Sequence, residues 1–182
     1  MTKTVALLVG SLRKDSINRR LAKALEKLAE GKLTFTEVNI GALPHYNEDL
    51  WENVPASVTE LKQTVEAADA VLVVTPEYNR SFPGVIKNAM DWASRPYGKN
   101  SWSGKPAAAT GTSGGAIASA VAQSHLKSEL LNQNMVVMHQ PEAYVQWKEE
   151  AFAADGSITD ESIRKFLQAY VDAFARFVEK HG

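Results

Sequence analysis

Short apolar runs alternate with amphipathic segments along the whole chain, and few folds tolerate that order. The runs are Val5–Val9, Leu33–Val38, Ala70–Thr75, Pro106–Thr110 and Met135–Met138. Runs of this kind suit strands covered on both faces. Between them, Ile17, Leu21, Ala24, Leu25 and Leu28 recur at helical spacing, and so do Val58, Leu61, Val65 and Ala68. A last stripe joins Ile163, Phe166, Leu167, Tyr170, Val171, Phe174, Phe177 and Val178. Thr159 is placed to cap that helix. Asp160 and Glu161 fall in its first turn, where the helix dipole favours negative charge.

Strand–helix alternation of this kind predicts right-handed crossovers and a parallel sheet with helices on both faces. Five strands in 182 residues fit a doubly wound α/β fold with the flavodoxin-like strand order 2-1-3-4-5. No repeat or linker interrupts the pattern, so 1–182 reads as a single domain. The stretches 39–55 and 141–157 read as longer loops. Apolar residues make up 45% of the chain, enough for a full core. In such folds ligands bind at the carboxyl ends of the strands, beside the switch point between the first and third. Three segments fall there: 10–18, 76–81 and 111–115.

Charge and cysteine content narrow the function. Lys plus Arg total 20 against 21 Asp plus Glu. A balance so near neutral gives no electrostatic reason to expect nucleic acid or an anionic membrane as partner. No cysteine is present, which excludes disulfides, thiolate metal sites and cysteine nucleophiles. The four histidines show no metal-binding spacing. No stretch is long and apolar enough to span a bilayer. The first run is short and passes at once into the polar text Ser11-Leu12-Arg13-Lys14-Asp15, so it reads as a strand and the protein as cytoplasmic.

The first loop, Gly10 to Asn18, follows a strand and opens a helix. A helix start offers free amides and a positive dipole end, which suits a phosphate. Ser11, Ser16 and Asn18 add side-chain donors, and Arg13 adds a fixed positive charge. Neither dinucleotide glycine spacing nor a nucleoside-triphosphate loop is present, and a hydroxyl-rich loop with one arginine suits a monophosphate. Ser16 alone reads equally as an N-cap. The second loop, Thr75-Pro76-Glu77-Tyr78-Asn79-Arg80-Ser81-Phe82-Pro83-Gly84, is rigid and shaped. Its backbone amides suit the polar edge of a flat ring.

On these residues the chain resembles the NADPH-dependent FMN reductase family, which includes bacterial quinone and chromate reductases. The matching text is Gly10-Ser11-Leu12-Arg13 with Ser16 and Asn18, then Pro76-Glu77-Tyr78-Asn79 with Ser81, Pro83 and Gly84, then Lys87-Asn88-Ala89, Asp91-Trp92 and Ser94-Arg95. After the fourth strand, relatives tend to carry a stretch like Ser-x-Gly-x-x-Gly-Gly, and this chain departs from it with Ser113-Gly114-Gly115-Ala116-Ile117-Ala118-Ser119. The resemblance implies that FMN phosphate sits on Ser11, Arg13, Ser16 and Asn18, and that 76–79 wraps the flavin ring. It implies hydride transfer from NADPH or NADH through FMN to a quinone or similar small-molecule acceptor. It also implies a homodimer or homotetramer with the flavin near the subunit contact. The candidate cofactor-binding set is Ser11, Arg13, Ser16, Ile17, Asn18, Pro76, Glu77, Tyr78, Asn79, Arg80 and Ser113. No residue is assigned a catalytic role, because the chemistry belongs to FMN.

Two rival readings stay open at this level. Gly111-Thr112-Ser113-Gly114-Gly115 matches the GxSxG nucleophile elbow of serine hydrolases. Ser113 would then need Asp155 or Asp160 as acid and one of His125, His139 or His181 as base. A flavodoxin-type electron carrier is the other, against which the nearly neutral charge argues. Phe82, Trp51 and Trp102 have no evident place in one core, which suggests a subunit contact. A positive helix end just after Gly115 is one candidate source of positive potential near the ring.

Overall fold

A computed structural model describes residues 2–182. Strand β1 (Lys3–Val9) leads to α1 (Ile17–Leu28), β2 (Leu33–Glu37), α2 (Ala56–Ala67), β3 (Ala70–Val74), α3 (Gly84–Ala93), β4 (Pro106–Ser113) and α4 (Ala120–Asn132). Then follow β5 (Val136–Val137), β6 (Tyr144–Gln146) and α5 (Glu161–His181). The pairings between these strands are parallel, in the order β2-β1-β3-β4-β5. This is the flavodoxin-like arrangement that the strand–helix alternation predicts.

The period-2 geometry of a strand divides the core into two layers. Val5, Leu7 and Val9 of β1, with Leu72 and Val74 of β3, face α1 and α5. Ala6, Leu8, Val71 and Val73 face α2, α3 and α4. β1 and β3 are buried on both sides for this reason, and their sequences are unbroken apolar runs. β2 lies at the sheet edge and differs: only Leu33 is buried while Thr34, Thr36 and Glu37 are exposed. The other edge is split. Met135–Met138 reads as one strand, but only Val136 and Val137 pair with the start of β4. The end of β4 pairs instead with β6, through Gly111–Tyr144, Thr112–Val145 and Ser113–Gln146. That strand lies inside the stretch 141–157 that reads as loop.

Other local expectations shift. Asp160, not Thr159, caps α5: its carboxylate accepts from the Ser162 and Ile163 amides, while the Thr159 hydroxyl donates to Glu150 O. The stretch 39–55 contains two short 3-10 helices, Ile40–Ala42 and Glu48–Asn53. Trp102 is fully buried, with its indole N–H donating to Met90 O at 3.1 Å. Trp51 and Phe82 pack partly buried on the same layer. These aromatics therefore have places inside the chain, contrary to the expectation from their loop positions.

Candidate functional site

The strand register brings the three loops together. Val9 pairs with Val74, and Gly10 N donates to Val74 O at 2.9 Å, so the first and second loops leave the sheet side by side. Thr75 N donates to Thr110 O at 2.8 Å, which places the third loop next to the second. Two glycines permit this spacing. A Cβ on Gly111 would stand 1.8 Å from Thr75 O, and one on Gly10 would stand 2.5 Å from Ile86 Cδ1. Backbone cannot yield as a side chain end can, so Gly111 is the stricter requirement.

The first loop has the geometry of an anion cradle. Ser16 is the N-cap of α1, its hydroxyl oxygen accepting from Arg19 N at 3.2 Å. Among the described residues no protein group accepts from the amides of 11–18, Ile17 and Asn18 included. Helix-start amides left free in this way, at the positive end of the dipole, bind phosphate. The hydroxyls of Ser11 and Ser16 are within this loop and largely withdrawn from bulk water. Arg13 is exposed and makes no ion pair among the described residues, so its charge is available to an anion.

Asn18 has a different place from the one its position suggests. Its Nδ2 donates to Thr112 O and its Oδ1 accepts from Thr112 N, both at 3.0 Å. The carboxamide is 1% exposed and ties the first loop to the third. Only its backbone amide faces the cradle. Thr112 is the partner that sequence reasoning misses, because the two positions are 94 residues apart.

The second loop is a tight two-residue turn. Tyr78 and Ser81 exchange backbone hydrogen bonds at 2.9 and 3.0 Å, and Asn79 and Arg80 both take positive φ, 50° and 64°. That is the primed turn that asparagine tolerates and arginine seldom adopts. The amides of Glu77, Asn79 and Arg80 have no protein acceptor among the described residues. Tyr78 is half exposed. Pro76 is buried against the Gly10 turn. Glu77 points inward: Oε2 accepts from Val121 N and Ala122 N at 3.0 and 3.1 Å, and Oε1 accepts from Arg80 Nη1 at 2.9 Å. Burial pushes its carboxyl up, but the hydrogen bonds from Ala122, Arg80 and Val121 together hold it below the usual carboxylate range.

The third loop closes the other side. The Ser113 hydroxyl donates to Ala118 O, and Ala118 takes φ 55°. Residues 114–119 form a loop, and α4 starts only at Ala120. Its first amides are already occupied by Glu77, so a free helix end after Gly115 is not what this site contains. A depression of about 640 Å³ is lined by Glu77, Asn79, Arg80, Ser113, Gly115, Ala116, Ile117 and Ala118. Residues 116–118 lie beyond the segments the sequence points to; Ala116, Ile117 and Ala118 are apolar and carry no polar group to mark them.

The geometry disfavours an ester-cleaving site. A nucleophile elbow needs strained backbone at the serine. Ser113 instead ends β4 without positive φ. No histidine bonds it; His125 Nδ1 lies 3.4 Å from Ser81 Oγ.

An anion cradle beside free amides and a shaped turn, at the switch point of a 2-1-3-4-5 sheet, defines the flavodoxin-like flavin-binding class. The comparisons narrow it. The family model described as NADPH-dependent FMN reductase matches residues 3–150, and the chain belongs to that family. It is 48% identical over 178 residues to a 2-hydroxy-1,4-benzoquinone reductase of Burkholderia sp, covering 98% of this chain and 97% of that one. It is 45% identical over 177 residues to a quinone reductase of Pseudomonas putida, covering 97% and 95%. FerB, a flavoenzyme NAD(P)H:(acceptor) oxidoreductase from Paracoccus denitrificans, superimposes with a TM-score of 0.98 at 62% identity over 100% of both chains. As a member of this family the chain is an FMN-dependent NAD(P)H oxidoreductase.

Proposed function

We propose that the acceptor is a quinone or a similarly flat, small oxidant, reduced in a ping-pong cycle after NADPH or NADH has left the same open face. The observation that carries this reading is the pairing of an unblocked phosphate cradle with an open depression at the neighbouring loops. Relatives named as quinone reductases support the acceptor class. FMN held by these loops would supply the two-electron carrier between nicotinamide and acceptor.

The chain's residues supply binding and orientation. The hydroxyls of Ser11 and Ser16, the Arg13 guanidinium and the amides of Ile17 and Asn18 would hold the phosphate. Pro76 shapes the second loop, and the amides of Glu77, Asn79 and Arg80 would meet the polar edge of the ring. Tyr78 and Ser113 would border it. Fixed donors of this kind favour negative charge without reorganising. The reading also includes 1–182 acting as one FMN-binding domain, a homodimer or homotetramer in solution, and action in the cytoplasm. No helix among the described residues is long and apolar enough to cross a membrane.

The test is spectroscopic. Purified protein mixed with FMN and freed of excess should show visible flavin bands, which bleach on anaerobic NADPH and return on adding a benzoquinone. Protein that retains no flavin, or retained flavin that NADPH leaves oxidised, would remove the proposal.

A further inference from the structure

Glu77 does more than line the depression. Its side chain is 7% exposed, and its carboxylate accepts three hydrogen bonds. Two go to the Val121 and Ala122 amides, 44 and 45 residues later. These belong to the first turn of α4, whose own flanking residue Ser119 makes no capping bond. The Ser119 hydroxyl accepts instead from Gln123 Nε2 at 2.9 Å. A helix start without a cap leaves its amides unsatisfied, and here a distant glutamate satisfies them. The third bond goes to Arg80, which sits in the left-handed half of the turn. One carboxylate thus joins the turn, a cation and a helix end.

We infer that Glu77 is the positioning residue of the ring-binding side of this site, fixing the 78–81 turn on α4 and balancing the positive charge of Arg80 and of the helix end. The inference rests on the proposed placement of FMN. Its first part follows from connectivity. Among the described residues, the one other polar approach between the turn and α4 is the loose Ser81–His125 pair at 3.4 Å. Its second part follows from charge. The start of a helix carries roughly half a positive charge, and Arg80 carries a whole one. Glu77 cancels most of that sum within the same depression. Without the carboxylate, a ring gaining negative charge on reduction would be held more tightly.

Two substitutions separate the parts. Glu77→Gln keeps an acceptor for the α4 amides and removes the charge. Glu77→Ala removes both. In protein without FMN, hydrogen exchange at Val121 and Ala122 should quicken about fivefold to tenfold in Glu77→Ala and stay within about threefold in Glu77→Gln. With FMN bound, Glu77→Gln should raise the two-electron midpoint potential by about 30 mV, a tenfold change in the reduction equilibrium. Unaltered exchange in Glu77→Ala, or an unaltered potential in Glu77→Gln, overturns the inference. If Glu77→Ala does not fold, the potential of Glu77→Gln decides alone. Failure of the unaltered protein to bind FMN removes the functional reading together with this inference; FMN binding with unmoved exchange and potential removes this inference only.

Discussion

Arg13 and Asn18 share a loop and serve it in opposite ways. Arg13 is exposed and unpaired, so its charge contributes little to folding and is available to an anion. Asn18 is buried and its side-chain carboxamide is taken up by Thr112. Substitution should therefore divide the two effects. Arg13→Ala is expected to weaken FMN binding about tenfold to hundredfold, the worth of one charge-assisted hydrogen bond. It should leave the denaturant midpoint almost unmoved. Asn18→Ala strips partners from a buried N–H and a buried C=O at once, and is expected to cost about 1–3 kcal/mol of stability. FMN titration and urea unfolding of both variants check this. A large stability loss in Arg13→Ala, or none in Asn18→Ala, would reverse the assignment.

Elements hold one another through similar single residues, and these joints decide what a sequence discloses. The loop after α3 is gathered by Lys62 of α2, whose ammonium donates to the carbonyls of Ala93, Arg95 and Lys99 and to the Ser101 hydroxyl. That folding back buries Trp102, which no local pattern foretells. β1 and β3 were legible as unbroken apolar runs and α1 by its helical spacing, and the strand–loop–helix setting of the first loop was legible because its residues are contiguous. β6 was not: three residues covered on one face carry too little pattern to stand out from a loop. The Glu77–α4 and Asn18–Thr112 joints were hidden by chain separation. Asp69, just before β3, is a joint of this kind whose strength depends on pH. Its carboxylate accepts from Thr4 N at 2.7 Å, from the Thr4 hydroxyl at 2.9 Å and from Lys3 Nζ at 3.1 Å. The Thr4 amide bond is the main cause that brings its pKa down to about 2, from 3.8. A folded-state pKa below the unfolded value stabilises above the unfolded pKa, and that contribution disappears as pH falls from about 4 through about 2. Asp69→Asn should thus lower stability near neutral pH by roughly 1–2 kcal/mol, with solvent screening allowed for. The gap between parent and variant should close towards pH 2. Urea midpoints measured between pH 7 and pH 2 test it; a gap that stays constant would show the charge to be irrelevant.

At the scale of the whole molecule, the proposed subunit contact rests on different residues from those the sequence suggests. Trp102 is inside the chain, and Trp51 packs edge-on against Trp92 at 5.4 Å. What remains exposed is one large apolar side chain on each site loop: Leu12 at 56%, Tyr78 at 49% and Ile117 at 49%. A single exposed apolar residue needs no explanation, but these three sit on loops that leave the sheet side by side, Ile117 among them lining the depression, and together they offer an apolar rim that water covers poorly. A two-fold contact made through this rim would cover it and wall the space over each flavin. The proposed pairing predicts a mass in light scattering of at least twice the 19.9 kDa chain at micromolar protein. Ile117→Glu and Tyr78→Glu place charge in such a contact and should shift the mass towards one chain, while circular dichroism remains that of the parent. Because Ile117 lines the depression proposed for the acceptor, loss of pairing should also raise KM for the quinone more than it lowers kcat. A parent protein that is monomeric and fully active under these conditions would refute the pairing, and the rim would then belong to the acceptor alone.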